Sequence, residues 1–503
     1  MAKTSSSYEL SLPPRKAKTT AQQWLYHAIR SEILRGGLRP GARLPSSRDL
    51  ARQHKMARGT IVNAFEQLAS EGYLTCSVGS GTYVNRVLPD GLLQVGTRGS
   101  VLGKTRRSEK LRLSDYAMRA RLFRCYEDRP IRAFRPNLPA LDLFPIELWA
   151  AITARCLRRI SLRNLMGCDP LGFLPLREAI ADYLTGSRGV RCTAEQIAIV
   201  SGVQEALDLT ARLLLNPGDQ VCVEDPGYDG AVQVFQSLGA KVCRIPVDDD
   251  GMTVARLPER GVRLLYVTPG HQFPIGTTMS LARRLELVAW ARKSGAVLFE
   301  DDYDSEYRFS GRPIPALQGL AAENYDQGRV LYAGSFSKVL FPALRLGYVV
   351  VPERLVEHFR AALSLTVRHA PLIEQLVLSE FIAQGHFGRH LRRMREIYAE
   401  RLSTLLAEAE SRLAGLLEIS GVEAGLQTVG WLTEHLQAEV VATAAAKLGV
   451  EAIPLSRYSH RAKYREGLQL GFAALRLPEI RRGVRDLGTA LEGERKRTAH
   501  SAQ

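Results

Sequence analysis

One lysine in the second half of the chain stands where it could do covalent chemistry. The apolar stretch RVLYA runs into the small-residue loop Gly-Ser-Phe-Ser, and Lys338 follows directly. An amine in this position can condense with an aldehyde, and small residues beside it let backbone and hydroxyl groups approach an anion. A lone lysine after a strand is more often a solvated surface group, so a functional interpretation of Lys338 needs support from other residues.

Acidic and aromatic residues after two other apolar stretches supply part of that support. Asp301 and Asp302 closely follow the run AVLF, where a carboxylate is costly unless a partner compensates its charge. A protonated pyridine nitrogen would be such a partner and would keep the ring electron-poor. Tyr303 could hydrogen-bond an oxygen on the same ring, and Tyr228 in EDPGY could stack on its face.

Two further segments could hold an anionic group. Ser201-Gly202-Val203-Gln204 opens the helical pattern QEALDLTARLLL, whose free N-terminal amides and dipole favour a phosphate. Arg345, a short distance after Lys338, could reach the same phosphate. Each feature has an ordinary explanation, such as an acidic turn, a capping box, a proline turn or a surface ion pair. Together, in this order, they predict a site for pyridoxal phosphate.

The first fifth of the chain carries most of the basic excess. Residues 1–110 contain 18 Lys and Arg against 7 Asp and Glu, and the whole chain has a formal net charge of +16. A solvated basic tail and a footprint for a nucleic-acid backbone are the two interpretations. The second is favoured by an amphipathic helix over 20–36, a helix capped by Ser46, a helix opened by Ala57 and two strands around Gly79-Ser80-Gly81. This order is typical of a winged helix-turn-helix.

The rest of the chain alternates between strand and helix patterns. Apolar strands such as QIAIVSG, QVCVEDP and RLLYVTP are separated by amphipathic helices, which predicts a doubly wound α/β sheet. From about residue 375 the pattern is helix-rich and ends in a polar tail. The predicted fold class is therefore α/β, with a winged helix in front. We expect a DNA-binding domain over 15–86, a linker over 87–115 and a cofactor-binding domain over 116–490.

Composition excludes several other classes of protein. No stretch of about 18 apolar residues could span a bilayer, and the N-terminus lacks the apolar core of a signal peptide. We therefore expect a cytoplasmic protein that does not engage a membrane. The seven cysteines are scattered and never have CxxC spacing, which argues against a metal site or a disulfide framework.

Both halves of the chain resemble one known family over about residues 20–485. LPSSRDLA, ARGTIVNAFEQLASEGYL and GSGTYV resemble a GntR-type winged helix, and EDPGY, VTPGHQFPIG, EDDYDSEYR and GSFSKVLFPALRLGY resemble the aminotransferase-like half of MocR/GabR-type regulators. The resemblance implies a pyridoxal-phosphate-dependent transferase domain of the fold-type-I aminotransferase class. It also implies promoter DNA as a partner, an amine, amino acid or pyridoxal phosphate as effector, and a homodimer of the domain-swapped kind.

The resemblance further implies roles for single residues. Lys338 would be the Schiff-base lysine, Asp301 would pair with the ring nitrogen, Tyr303 would contact the ring hydroxyl, and Tyr228 would stack on the ring. The residues implied around the phosphate are Ser201, Gly202, Val203, Gln204, Ser335, Ser337 and Arg345. The residues implied in DNA contact are Arg48, Arg58, Thr60 and, at the wing tip, Gly79. No metal ligand is implied.

Two departures from the aminotransferase pattern bear on function. The Asn-Pro-x-Gly element reads HQFPIG here, so the contact to the ring oxygen would have to come from His271 or Gln272. The late strand that holds the substrate carboxylate through an arginine reads GLQLGF, without one; the candidate substitutes are Arg457, Arg461 and Arg476. We therefore expect a regulator whose cofactor domain senses pyridoxal phosphate or an amino compound. The alternative is a catalytically active aminotransferase with an appended winged helix.

Overall fold

A computed structural model describes residues 10, 12–15, 19–77, 81–86, 111–123, 130–311, 314–323, 328–419, 421–433, 435–460 and 465–501. The chain divides into two compact units, residues 1–111 and 112–503. Most of the predicted linker, residues 87–110, lies outside the described ranges. Within those ranges, no helix combines the length and the apolar character needed to cross a membrane.

The first unit is a three-helix fold with a two-stranded wing. Its elements are α1 (Ala21–Leu34), α2 (Ser47–Gln53), α3 (Arg58–Ser70), β1 (Leu74–Ser77) and β2 (Gly81–Val84). The Thr20 and Ser46 side chains cap the first two helices by accepting backbone N–H groups. Apolar residues at three- and four-residue spacing, including Leu25, Ile29 and Phe65, are buried in one core. The predicted winged helix is therefore what the structure shows.

An eight-stranded sheet forms the centre of the second unit, in the order β3-β10-β9-β8-β7-β4-β5-β6. Its strands are β3 (Ile197–Val200), β4 (Gln220–Asp225), β5 (Lys241–Asp248), β6 (Gly251–Met252), β7 (Val262–Val267), β8 (Val297–Asp302), β9 (Val330–Ser335) and β10 (Gly347–Val350). Strands β4, β5, β7, β8 and β9 pair in parallel, whereas β10 is antiparallel to both of its neighbours. Because parallel strands end at the same edge, the residues that follow β4, β8 and β9 come together there.

Helices cover this sheet and continue into the last part of the chain. They are α4 (Asp115–Arg119), α5 (Ile146–Arg159), α6 (Leu162–Met166), α7 (Leu174–Arg188), α8 (Val203–Leu214), α9 (Asp229–Ser237), α10 (Leu281–Ser294), α11 (Leu317–Glu323), α12 (Phe336–Val339), α13 (Val356–Thr366), α14 (Leu372–Ala383), α15 (His386–Leu413), α16 (Ala438–Lys447) and α17 (Leu477–Ser501). The strands β3, β9 and β10 are buried along their whole length. Because both faces of such strands are covered, their sequences are apolar at successive positions and do not alternate.

The last part of the chain differs from the expectation of helices alone. It contains a four-stranded antiparallel sheet, β11-β12-β14-β13, formed by β11 (Leu417–Ile419), β12 (Gln427–Leu432), β13 (Ile453–Pro454) and β14 (Gly467–Gly471). Only the last of these was expected. Strands β11 and β13 have three and two residues and carry too little periodicity to be recognised, and the six-residue β12 was missed as well. The polar tail also differs, since α17 runs through it to Ser501. Its Glu, Arg, Lys and Ala residues have good helix propensity and extend a helix already anchored by its apolar face.

Candidate functional site

The carboxyl edge of the large sheet opens into a cavity of about 790 Å³. Most residues predicted to hold a cofactor line it, although they come from separate segments of the chain. Those lining residues are Gly202, Val203, Gln204, Tyr228, Asp301, Tyr303, Ser335, Ser337, Lys338 and Arg345. The fold therefore gathers a lysine, a carboxylate, aromatic rings and an anion-binding segment into one space.

Lys338 projects into this cavity from the short helix α12, directly after β9. Its Nζ donates a hydrogen bond to the carbonyl oxygen of Asn137 at 3.0 Å. Burial lowers the pKa of Lys338 to about 8, against the opposing influence of the carboxylates of Asp304 and Asp301. A lower pKa leaves more of the amine uncharged near neutral pH, which is the form that attacks an aldehyde.

Asp301 is the carboxylate that the cavity leaves incompletely paired. It is 4% exposed, and its Oδ2 accepts a hydrogen bond from the Tyr266 hydroxyl at 2.6 Å. Its Oδ1 is buried and has no hydrogen-bond partner in the described part of the chain. Burial raises the pKa of Asp301 to about 7. A protonated ring nitrogen at Oδ1 would satisfy this oxygen and stabilise the ionised carboxylate, so Asp301 fits the pyridine ring of pyridoxal phosphate.

The neighbouring Asp302 has a structural role instead. It forms an ion pair with Arg188 at 3.3 Å and accepts a hydrogen bond from the Tyr332 hydroxyl at 2.6 Å. Burial alone would raise the pKa of Asp302. The charge of Arg188 and the hydrogen bond from Tyr332 help to outweigh burial, so the pKa of Asp302 lies below its usual value. Because successive strand residues point to opposite faces, only one of the two aspartates reaches the cavity.

The other end of the cavity suits a phosphate. Gly202 precedes α8 with a φ of +128°, a conformation that favours glycine, and no side chain of a described residue caps this helix. A Cβ atom at Gly202 would lie 3.6 Å from the Arg345 guanidinium, so that cation stands beside the helix N-terminus. The hydroxyl of Ser337 is buried without a hydrogen-bond partner among the described residues. Helix amides, a guanidinium and an unsatisfied hydroxyl together match an anion.

Three other residues predicted to hold the cofactor, Ser201, His271 and Gln272, are not among the residues that line the cavity. The backbone N–H of Ser201 donates to Glu205. His271 Nδ1 lies 2.9 Å from Asp304 and 3.1 Å from the Tyr303 hydroxyl, so His271 contacts the cavity residue Tyr303. The Gln272 amide donates to backbone carbonyl groups instead.

The spacing of the Pro-x-Gly element indicates a different residue from the two predicted ones, His271 and Gln272. Counting back from Pro274 and Gly276 places Phe273, not His271 or Gln272, at the asparagine position. Phe273 does line the cavity. An apolar ring therefore replaces the polar contact that an asparagine makes in aminotransferases.

Of the three arginines named as candidate substitutes for the missing carboxylate partner, the structure places one at the cavity. Arg457 lines it, but Arg476 instead forms an ion pair with Asp142 at 3.1 Å, and Arg461 lies outside the described residues. Arg132, Arg135 and Asn137 also line the cavity and were missed. They come from a segment without a recognisable motif, and only the folded chain brings it to the sheet edge.

A buried glutamate beside the site gives a first testable prediction. Glu224 accepts hydrogen bonds from the backbone N–H and the hydroxyl of Thr268, and burial raises its pKa from the ordinary 4.5 to about 8. When folding raises the pKa of a carboxyl group, the free energy of unfolding of the protein falls as the pH rises from the pKa of the unfolded state to that of the folded state. We expect Glu224→Gln to remove this loss and to stabilise the cofactor-free protein at about pH 8 by roughly 2–4 kcal/mol.

Urea unfolding at about pH 5 and about pH 8 measures the effect. The exposed Glu259 offers a matched control, because Glu259→Gln should keep the wild-type pH dependence. An equal pH dependence in wild type and Glu224→Gln would contradict the role of this carboxyl group.

In the first unit, Arg48, Arg58 and the N-terminal end of α3 are exposed to solvent. Arg58 is the first residue of α3 and is exposed, and no side chain caps that helix at Ala57. Arg48 is exposed on α2, and Thr60 is partly buried in the first turn of α3. Gly79 lies outside the described residues. An exposed arginine at the start of the third helix of a winged helix is placed to enter the major groove of DNA.

Comparisons with known proteins agree with this division of the chain. Residues 21–84 match the profile of the gntR family of bacterial regulatory proteins, and residues 158–458 match aminotransferase class I and II. The chain is 39% identical to the probable rhizopine catabolism regulatory protein MocR of Rhizobium meliloti, over 95% of this chain and 94% of that protein. It is 32% identical to the HTH-type pyridoxine biosynthesis transcriptional regulator PdxR of Corynebacterium glutamicum, over 92% and 94% respectively.

A solved structure shows the same fold for the second unit. It is LysN, the α-aminoadipate aminotransferase of Thermus thermophilus, complexed with N-(5'-phosphopyridoxyl)-L-leucine. The TM-score is 0.68 at 30% sequence identity, covering 76% of this chain and 98% of LysN. The predicted fold-type-I aminotransferase domain and its pyridoxal phosphate are thereby confirmed.

A winged helix joined to a pyridoxal-phosphate-binding domain of the aminotransferase fold defines a class of bacterial HTH-type transcription regulators. The chain belongs to the MocR-type family of these regulators, within the GntR superfamily. It is a DNA-binding regulator, as its winged helix predicted.

Proposed function

We propose that the cavity is an amine sensor that controls the winged helix. The observation that carries this proposal is a set of polar groups around one space: Lys338 Nζ, Asp301 Oδ1 and the Ser337 hydroxyl. The last two have no hydrogen-bond partner within the described ranges. The aldehyde of pyridoxal phosphate supplies reversible covalent capture of primary amines. Lys338 would hold the cofactor in the absence of an amine, and the lysine would be released when an amine takes its place.

The other cavity residues would bind and orient the cofactor. Asp301 would hold the proton on the ring nitrogen, and Tyr303, braced by His271, would face the ring edge. Tyr228 would lie against the ring; its hydroxyl already donates to Gln204 at 3.1 Å, which fixes the orientation of the phenol. The segment from Gly202 to Gln204 would hold the phosphate, together with Ser335, Ser337 and Arg345.

A signal to DNA requires the ligand to favour one of two arrangements of the protein. Couplings of this kind are typically worth about 1–3 kcal/mol, or about 5- to 150-fold in affinity. We therefore expect amine binding to shift operator affinity within that range. Two winged helices acting together would read the two halves of an operator.

The competing function is that of a working aminotransferase. Lys338 and Asp301 are the residues that this chemistry would need, and the match to LysN favours the idea. Against it stands β14, where Gln469 occupies the centre of the strand and no arginine is present. An ordinary α-amino acid would thus lack its usual partner for the carboxylate.

One experiment separates the two functions. The cofactor-loaded protein is mixed with a panel of amines and α-amino acids while its visible absorbance and the formation of keto product are recorded. We expect some amines to change the absorbance without steady multiple turnover. Sustained turnover with an ordinary α-amino acid would favour the enzyme, and a protein whose absorbance responds to no amine would contradict sensing.

We also propose that the regulator is a dimer, and α6 with its surroundings supports this. Leu162, Leu165 and Met166 are 81%, 64% and 85% exposed, which is unusual for three large apolar side chains on one short helix. A second copy of the chain would cover them. The long segment over 87–115 would allow the domain-swapped arrangement implied by the family.

We expect the double variant Leu165→Glu with Met166→Glu to shift the protein from dimer to monomer, because two charges on each copy would have to be buried without partners. Sedimentation velocity measures the change. Leu448→Glu, at an apolar residue exposed elsewhere on the second unit, should leave the dimer intact. A wild-type protein that sediments as a monomer would contradict the proposal.

A further inference from the structure

We infer that Phe123 is a positioning residue of the sensing site, which makes the docking of residues 112–123 depend on what the cavity contains. We name these residues the entry segment. The inference rests on the proposed sensing function and adds to it a residue that the cofactor chemistry does not use. Phe123 is partly buried and lines the cavity. Along the chain, the entry segment follows the residues that connect the winged helix to the second unit.

The entry segment leaves its apolar side chains in solvent until Phe123. Every residue from 112 to 122 is exposed, and α4, the helix within the segment, buries none of its residues. Leu113, Met118 and Leu122 are 58%, 72% and 87% exposed. Because burial of apolar surface is the main driving force for packing, residues 112–122 gain little from lying on the second unit.

Two arginine contacts determine where the entry segment lies. The guanidinium of Arg212 in α8 stands over the Tyr116 ring, 5.3 Å from its centroid. The Arg119 guanidinium lies against Gly239, where an added Cβ atom would come within 2.6 Å of it. Gly239 follows α9 and Tyr228 directly precedes it, so the segment passes along α9 toward the cavity. Cation contacts at exposed rings are weak, so these contacts orient the segment without holding it tightly.

Phe123 contacts the residue that is expected to lie against the cofactor. Its ring meets Tyr228 edge-on, with the centroids 6.0 Å apart and the planes at 86°. Tyr228 is also fixed by its hydrogen bond to Gln204 and by an edge contact with Phe273 at 5.7 Å. Phe123 and Tyr228 both line the cavity, so a ligand that fills it removes further ring surface from water.

Phe123 therefore packs better when the cavity is occupied than when it is empty. A ligand shifts a protein between two arrangements only if it favours one of them, and this difference in packing supplies such a preference. An occupied cavity holds the entry segment in place, and an empty cavity lets it leave. The content of the cavity thus acts on the part of the chain that leads to the winged helix.

Hydrogen exchange of the entry segment tests the inference, with pyridoxal phosphate as the probe. The backbone N–H groups of Met118 and Ala120 donate to the carbonyl oxygens of Ser114 and Tyr116, at 3.1 and 2.8 Å. Their exchange therefore reports whether the segment is ordered. In the full-length wild type, loading with the cofactor should slow the exchange of peptides from residues 112–123 by about fivefold or more.

Variants at Phe123 separate its role from that of the segment as a whole. Phe123→Ala leaves Lys338 and Asp301 in place, so it should take up pyridoxal phosphate, as its visible absorbance reports, while the exchange no longer responds. Phe123→Tyr keeps the ring and should restore the response. The neighbouring Leu122 provides the matched control, because Leu122→Ala removes an exposed apolar side chain and should respond like the wild type.

The same variants should change the coupling to DNA. Between the cofactor-free and the cofactor-loaded wild type we expect operator affinities that differ by about 5- to 150-fold. In Phe123→Ala the two affinities should agree to within about twofold, whereas Leu122→Ala should keep the wild-type ratio. Fluorescence anisotropy with a labelled fragment of the protein's own promoter measures both affinities.

The outcomes distinguish this inference from the function on which it rests. Exchange that does not change when the wild type is loaded, or that still responds in Phe123→Ala, would overturn the inference but leave the cofactor site and amine sensing intact. If Phe123→Ala does not fold, the wild-type measurement still decides. A wild type whose spectrum shows no uptake of pyridoxal phosphate would instead overturn the proposed sensing function.

Discussion

Lys338→Ala is expected to abolish covalent retention of pyridoxal phosphate completely. Lys338 is the only lysine among the described residues that line the cavity, and its lowered pKa favours the reactive neutral amine. Borohydride reduction fixes a cofactor bound through an amine, and peptide mass spectrometry then locates it. We expect the cofactor mass on the Lys338 peptide of the wild type and on no peptide of the variant.

The variant should still bind the cofactor reversibly. Asp301, Ser337 and Arg345 remain in place, so dialysis should remove the cofactor from the variant but not from the wild type. The exposed Lys293 provides the control, because Lys293→Ala should retain the cofactor like the wild type. Cofactor found on another lysine of the wild-type protein would refute the assignment of Lys338.

Arg58→Ala is expected to lower affinity for the operator by about 1–3 kcal/mol, which is roughly 5- to 150-fold. Arg58 is exposed at the uncapped start of α3, where a guanidinium can contact a guanine edge in the major groove. Fluorescence anisotropy with a labelled fragment of the protein's own promoter measures the loss. Arg256→Ala, which removes an exposed arginine of the second unit, should not change the affinity.

Arg58→Lys distinguishes a base contact from a phosphate contact. Lysine keeps the positive charge but lacks the planar fork that binds guanine through two hydrogen bonds. If Arg58 contacts a base, the lysine variant should lose discrimination between operator and unrelated DNA while keeping a similar salt dependence. Full discrimination in the lysine variant would assign Arg58 to the phosphate backbone.

Strong local patterns made much of the fold predictable. The winged helix followed from capping residues and three- and four-residue spacing, and the parallel sheet followed from long apolar strands. The sheet β11-β12-β14-β13 was mostly missed because its strands are short and its pairing joins distant segments. Similarly, α17 extends into a segment that composition alone suggested was a tail.

The candidate site shows where local patterns stop being informative. Asp301 lies at the end of β8 and Lys338 lies in the short helix after β9, so the topology carries both residues to the sheet edge. Asn137 is held at the same cavity by contacts with Gln427 and Lys338, which lie far away in the sequence. The sequence around Asn137 has no motif that predicts this position. The prediction for His271 relied on residue type, whereas the Pro-x-Gly spacing indicates Phe273.

The account depends most on a coupling between the cofactor cavity and DNA affinity. The direct test is the operator affinity of the same full-length protein without cofactor, with pyridoxal phosphate, and with pyridoxal phosphate and an amine to which its absorbance responds. We predict that the affinity differs between at least two of these states by about 5- to 150-fold, and that Lys338→Ala removes the difference produced by that amine. An operator affinity that is the same in all three states would contradict the account, because the cavity would then have no influence on the winged helix.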